Sequence, residues 1–230
     1  MTRRIRRDLL GFARPWPLVL LSLLALSAII FWALAEDVWF RQGFAWDAPI
    51  AMAIYRLRQP WLDGAMGMIT WTGGPGALLG TLATAIWLWR RRRLERALLI
   101  LGSYATAVAF TLALKQVFQR PRPVLFPPLV AANGYSFPSG HTFAALILYG
   151  LLAAYLWQDG RRAPALLLMA WGPLIGLSRV YLGVHYPSDV LASLTAGALW
   201  ILPGLALMRW RRRRRAAWPP PAPARDAGGG

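Results

Sequence analysis

The sequence predicts an all-α, polytopic membrane protein: six transmembrane helices in a bundle, with a short interfacial helix in the first outer loop. Three observations lead there. Of 230 residues, 57% are hydrophobic, more than a water-soluble domain ordinarily carries. The apolar residues collect in long uncharged runs rather than alternating with polar ones. The basic residues collect in short arginine blocks between those runs, as in proteins whose orientation is set by positive charge on the cytoplasmic side.

The elements follow in order. The runs at 17–35, 66–89, 97–118, 142–157, 163–177 and 190–208 are the six candidate spans. A spanning helix needs about 20 apolar residues, so the fourth and fifth runs are short and must extend into flanking residues or have their ends shielded by protein. Arginine blocks lie at 3–7, 90–93, 160–162 and 211–215. With six spans, all four blocks fall on one side, together with both termini. Tryptophans near the boundaries, Trp16, Trp61, Trp89, Trp157 and Trp210, suit interfacial anchoring. The segments at 36–65, 119–141 and 178–189 then face the opposite, outer side, which is periplasmic in a Gram-negative cell. The sequence Ala33-Leu34-Ala35-Glu36 resembles a signal-peptidase site, but the apolar run before it is long for a signal peptide, and an uncleaved anchor is expected. In the first outer segment Asp47 can cap a helix and Pro49 suits its first turn. Ile50, Ile54 and Leu57 recur on one face, the pattern of an amphipathic helix lying on the membrane; a plain connecting loop is the alternative. Residues 1–215 form one membrane domain, and the Pro/Gly/Ala-rich 216–230 reads as a disordered cytoplasmic tail.

Composition excludes several functions. Cysteine is absent, so there are neither disulfides nor thiolate metal sites. Two histidines and nine acidic residues show no cluster of the kind a two-metal phosphatase needs, and no cofactor is expected. The net charge of +17 does not point to nucleic acid, because the arginines flank spans and no polar domain is left to display a basic face.

Three outer clusters are suited to an anion. Lys115, the one lysine in the chain, lies near the outer end of the third span, a costly position that suggests a functional site, although snorkelling would also explain it. Pro121 and Pro123 stop the helix, and Arg122 follows in an extended segment; Arg120 competes with it on spacing alone. Pro138-Ser139-Gly140-His141 precedes the fourth span. Ser139 is a good N-cap, Gly140 permits close backbone approach, and a helix start favours anions. In the third cluster Arg179 offers a planar fork for phosphate oxygens. His185 and Asp189 are four apart and share a face if the chain is helical there, while Pro187 suits that helix's first turn. A carboxylate beside an imidazole can fix its tautomer and stabilise its charged form. Three cations, a helix N-terminus, two imidazoles and an orienting carboxylate on one side suit metal-free phosphoryl transfer.

These residues fall into three motifs: Lys115 followed after six residues by Arg122-Pro123; Pro138-Ser139-Gly140-His141; and Ser178-Arg179 followed by His185 and Asp189. Their series resembles the type 2 phosphatidic acid phosphatase family, membrane lipid phosphatases related in their site to vanadium haloperoxidases. The resemblance implies that His185 is the nucleophile, forming a phosphohistidine, that Asp189 orients it, and that His141 is the general acid. It implies that Lys115, Arg122, Ser139, Gly140 and Arg179 bind phosphate, without a metal. It also implies a membrane lipid phosphate or diphosphate as substrate, such as phosphatidic acid, phosphatidylglycerol phosphate or undecaprenyl diphosphate. Transfer of the phosphoryl group to an acceptor lipid, or non-catalytic binding or transport of an anionic lipid, are the competing expectations.

Overall fold

The computed structural model describes residues 16–41 and 43–217. The first arginine block and residues 218–230 of the tail lie outside them. Among the described residues the chain is all-helical: α1 (Trp16–Trp39), α2 (Asp47–Tyr55), α3 (Pro60–Trp71), α4 (Pro75–Arg90), α5 (Leu94–Phe118), α6 (Gly140–Gln158), α7 (Arg162–Tyr181) and α8 (Pro187–Ala217). Four helices are long and apolar enough to cross a membrane, namely Pro17–Trp39, Leu94–Phe118, Gly140–Gln158 and Arg162–Tyr181. The two runs that are short in the sequence do extend into their flanks: α6 takes in Gly140 and His141, and α7 takes in Ser178 to Tyr181.

The run at 66–89 is not one helix. It is split between α3 and α4 by a turn at Thr72-Gly73-Gly74, with Pro75 opening α4. Two glycines followed by proline cannot continue a helix, because proline lacks the amide donor and disfavours a helical residue before it. The turn is held by side chains from two other helices: Tyr149 Oη donates to Thr72 O at 3.0 Å, and Trp171 Nε1 donates to Thr72 Oγ1 at 2.9 Å.

Helix α6 is the axis of the bundle. Phe143, Ala145, Ile147 and Leu148 are buried along it, and it packs against α4, α5, α7 and α8. Close approach of α6, α7 and α8 depends on glycine. Leu146 is clasped between Gly172 of α7 and Gly197 of α8; a Cβ on Gly197 would stand 2.3 Å from Leu146 Cδ2. Small residues at such crossings are how helices associate where lipid removes the hydrophobic incentive. The exterior is apolar instead: Leu18, Ile29, Leu82, Ile86, Leu98, Leu112 and Leu167 all stand outward. So much exposed aliphatic surface suits lipid and not water.

Helix α2 forms in the segment where an interfacial helix is expected. Asp47 and Ala51 are buried, whereas Ile50 and Leu57 face outward. Asp47 does not cap its own helix; Trp46 holds the N-cap position with no side-chain bond. Its carboxylate is used elsewhere.

Helix direction places the site. Helix α5 ends at the candidate residues, α6 begins there, and α7 returns to them. The arginine-bearing turns at 90–93 and 160–162 therefore lie at the far ends of these helices. At about 1.5 Å per residue, the 19 residues of α6 separate the two by about 28 Å.

Candidate active site

Helix α5 stops at Phe118, and Gln119 adopts a left-handed conformation. The chain then runs extended through Arg120-Pro121-Arg122 and crosses to the α7–α8 turn, where Leu129 N donates to Leu182 O at 3.0 Å. This crossing segment is why the three motifs meet. His141, His185, Lys115, Arg122 and Arg179 lie within electrostatic reach of one another, drawn from the end of α5, the crossing segment, the start of α6, the end of α7 and the turn before α8.

His185 sits in the turn before α8, only 2% exposed. It is not helical, contrary to the i,i+4 expectation, since α8 begins at Pro187. The His–Asp contact forms nonetheless, because Asp189 in the first turn reaches back to the preceding residues. Asp189 Oδ2 accepts from Tyr186 N at 2.9 Å and lies 3.3 Å from His185 Nδ1. Arg122 Nη1 lies 3.4 Å from the other ring nitrogen, Nε2. A carboxylate can only accept here and a guanidinium can only donate, so the two partners assign the tautomer. Nδ1 carries the proton, and the Nε2 lone pair faces Arg122. Burial pushes the His185 imidazole down to about 4, against the opposing pull of Asp189. The ring is neutral at pH 7.

The cations differ in how they are held. Lys115 Nζ, in the last turn of α5, donates to Tyr135 O and, at 3.4 Å, to Ser136 O. Arg122 donates to Gly134 O at 3.0 Å, Asn133 O at 2.8 Å and Val184 O at 2.7 Å. Burial pulls the Arg122 guanidinium below its ordinary value, only partly opposed by Asp189. None of these partners is a carboxylate, so neither charge is neutralised. Arg179 is 5% exposed. Its Nη1 donates to Thr70 Oγ1 at 2.8 Å, and its Nε is buried with no partner. A buried guanidinium with an unused donor is costly unless an anion completes it.

Arg120 is different, and the structure resolves the ambiguity left by spacing. Its Nη1 donates to Asp189 Oδ1 at 2.5 Å and Ser188 Oγ at 2.8 Å, and its Nη2 donates to Asp47 Oδ2 at 2.8 Å. The guanidinium lies 4.2 Å from the Tyr186 ring centroid. Burial would lower its proton affinity, but the carboxylates of Asp189 and Asp47 outweigh that and raise it. Arg120 is consumed by two carboxylates, whereas Arg122 remains open to an anion.

Ser139 occupies the N-cap position of α6 but makes no side-chain capping bond; its Oγ pairs with Thr142 Oγ1 at 2.9 Å. The first amides of α6 therefore keep no side-chain partner, and they lack intrahelical acceptors by construction. Gly140 packs on α5, where an added Cβ would meet Thr111 Cγ2 at 3.4 Å. His141 lies under the α3–α4 turn, with its Nε2 2.4 Å from the position a Cβ on Gly74 would take. A cavity of about 270 Å³ opens here, lined by Gly74, Leu78, Val108, Leu112, Lys115 and His141 among others. Its walls are apolar and its end is cationic.

Sequence reasoning missed Thr70, the Gly73-Gly74 turn, Ser188 and the buried role of Asp47. The signal for Asp47 was its position as an acid in a mostly apolar outer segment. Thr70 carried none.

A buried neutral imidazole paired with a carboxylate and Arg122, and a second imidazole that lines an apolar cavity with Lys115, form an arrangement able to act on a phosphate with a lipid body. Comparison with known proteins agrees. The model of the PAP2 superfamily matches residues 96–215, and the chain belongs to that family of phosphatases. It is 33% identical to phosphatidylglycerophosphatase B of Bacillus subtilis over 66% of this chain and 78% of that protein. It is 35% identical to the putative undecaprenyl-diphosphatase YbjG of Escherichia coli over 53% of this chain and 62% of that protein. The crystal structure of the transmembrane PAP2-type phosphatidylglycerolphosphate phosphatase from B. subtilis superposes with a TM-score of 0.72 at 28% identity, covering 82% of this chain and 96% of that one. The chain is a membrane lipid phosphatase of the PAP2 type.

Proposed function

We propose that the enzyme hydrolyses a lipid phosphate or diphosphate at the outer face of the cytoplasmic membrane, through a phosphohistidine on His185 and without a metal. The observation that carries this reading is the set of unneutralised cations, above all Arg179 with its unused buried donor, together with a His185 whose Nε2 lone pair faces Arg122. Lys115, Arg122, Arg179, Ser139 and Gly140 bind the phosphoryl oxygens, the last two through the start of α6. His185 Nε2 attacks phosphorus while the bond to the leaving oxygen breaks, and His141 gives that oxygen its proton. Asp189 stabilises the charge left on the His185 ring. Water then attacks the phosphohistidine, His141 takes its proton, and phosphate leaves. The clamp acts mainly on the charge of the transition state.

The outer-face assignment rests on a count of six spans, in which α3–α4 and α8 complete the four long apolar helices. In that topology the arginine turns are cytoplasmic and the site lies at the opposite end. The relatives' names support phosphatidylglycerol phosphate and undecaprenyl diphosphate as substrates ahead of phosphatidic acid. The test is phosphate release from detergent-solubilised enzyme in EDTA, with the three lipids side by side. Activity is expected to survive chelation and to vanish in His185→Ala. Complete dependence on added metal, or an active His185→Ala, refutes the mechanism.

A further inference from the structure

The catalytic carboxylate Asp189 is one end of a chain of charges that begins in the first outer segment. Asp47, at the start of α2, is 3% exposed. Its Oδ1 accepts from Ser188 N at 2.9 Å, and its Oδ2 accepts from Ser188 Oγ at 2.5 Å and from Arg120 Nη2 at 2.8 Å. Arg120 passes on to Asp189 Oδ1, and Asp189 Oδ2 reaches His185 Nδ1. Each link is a hydrogen bond between charged or polar groups that are almost fully buried, where such bonds are strongest. Asp47 is more than a hydrophobic helix's incidental acid: a separate element supplies it, and it caps the helix that carries the catalytic carboxylate.

The arithmetic of charge gives this chain a purpose. Asp189 paired with Arg120 alone would be close to neutral, and a neutral pair cannot stabilise a positive ring on His185. With Asp47 holding the other arm of the same guanidinium, the three groups sum to one negative charge. That charge is available to the imidazole when phosphorus adds to it. Arg120 on Oδ1 and the Tyr186 amide on Oδ2 orient Asp189 so that Oδ2 faces His185.

We infer that Asp47 is a positioning residue for catalysis, which acts through Arg120 and Ser188 to hold Asp189 anionic and aimed at His185. This rests on the proposed role of His185 and adds to it a residue outside the three motifs.

The test compares Asp47→Asn, Arg120→Gln, the double variant and His185→Ala with the parent enzyme in detergent, on one lipid phosphate, with inorganic phosphate as competitor. Asp47→Asn is expected to lower kcat by about 10- to 100-fold, the scale of a lost charge-assisted bond. KM and the inhibition constant for inorganic phosphate should stay within about twofold, because the cations that grip phosphate are untouched. In the double variant the loss should be no more than about twofold beyond Arg120→Gln alone, since Asp47 acts through that arginine. A parental kcat in Asp47→Asn, or losses that multiply in the double variant, overturns the inference. A fall in phosphate affinity as large as the fall in kcat does so too, since it marks a general disturbance of the site. If Asp47→Asn does not fold, Ser188→Ala carries the test. It removes one hydroxyl from the same chain and should lower kcat about 3- to 10-fold at unchanged KM; a parental kcat there overturns the inference. An active His185→Ala would instead refute the underlying catalytic reading. An inactive His185→Ala beside a parental Asp47→Asn refutes only the link from Asp47.

Discussion

Gly74→Ala is a small change with a large expected effect on the proton transfers of the reaction. An alanine Cβ at this position would stand 2.4 Å from His141 Nε2, 3.0 Å from Cδ2 and 3.2 Å from Cε1. Ordinary carbon–nitrogen contact begins near ~3.4 Å, so something must give by about 1 Å. The turn cannot easily move, because Tyr149 and Trp171 both hold Thr72. The imidazole therefore retreats. A misplacement of about 1 Å typically costs about 10²-fold in rate, equivalent to roughly 2.7 kcal/mol of barrier. The assay uses two substrates that differ in need for an acid. With a lipid phosphate, whose leaving alkoxide must be protonated, kcat should fall about 100-fold. With p-nitrophenyl phosphate, whose leaving group departs without a proton, the rate of nitrophenolate release in the first turnover should stay within about threefold, while later turnovers slow because His141 also takes the proton of the attacking water. Gly102→Ala is the control: its Cβ meets nothing within 4 Å, and activity should be unchanged. Equal losses in the first turnover of both substrates, or none on the lipid, refute the assignment of His141 as the leaving group's acid.

Other outcomes follow from the same geometry. The chain has two histidines, so NMR of ring-labelled protein resolves them once one is replaced. His185 should titrate near about 4, well below the unfolded value of about 6.5. Its contribution to stability is then complete above about pH 6.5 and is lost as pH falls toward 4. A His185 titration between pH 6 and 7 contradicts the buried, neutral ring. Arg179→Lys keeps the charge but loses the fork that meets Thr70, and kcat/KM should fall by about 10-fold or more; parental kinetics would show that geometry at this position is immaterial. Gly197→Ala forces a Cβ to within 2.3 Å of Leu146 Cδ2 and should cost about 1–3 kcal/mol, read as a lower thermal midpoint in detergent.

Much of the site was legible because its residues are chemically out of place. A lysine, an arginine fork and two histidines beside apolar runs have few structural uses; of the eight candidates, Lys115, Gly140 and His141 line the cavity. The helical ends were legible from proline: α5 stops ahead of Pro121 and α8 starts at Pro187. What failed were relations between segments. The i,i+4 rule suggested a helical His185–Asp189 pair, whereas the contact is made by Asp189 turning back over a non-helical turn. The periodicity of Ile50, Ile54 and Leu57 described an apolar face turned to lipid and gave no sign that Asp47 and Ala51 are buried in the bundle. Hydropathy averaged over 66–89 concealed the break at Gly73-Gly74, because glycine is neither apolar nor charged enough to interrupt a window. Arg120 and Arg122 were inseparable by spacing; only the positions of Asp47 and Asp189 show which one is neutralised.

The central claim is that phosphorus passes through His185. The direct measurement is rapid quench of the enzyme with radiolabelled lipid phosphate in EDTA, followed by detection of acid-labile, base-stable label on the protein. The account predicts label on His185, absent in His185→Ala and still hydrolysed slowly when water is the acceptor. Turnover with no protein-bound label at any quench time, or label that persists in His185→Ala, contradicts it.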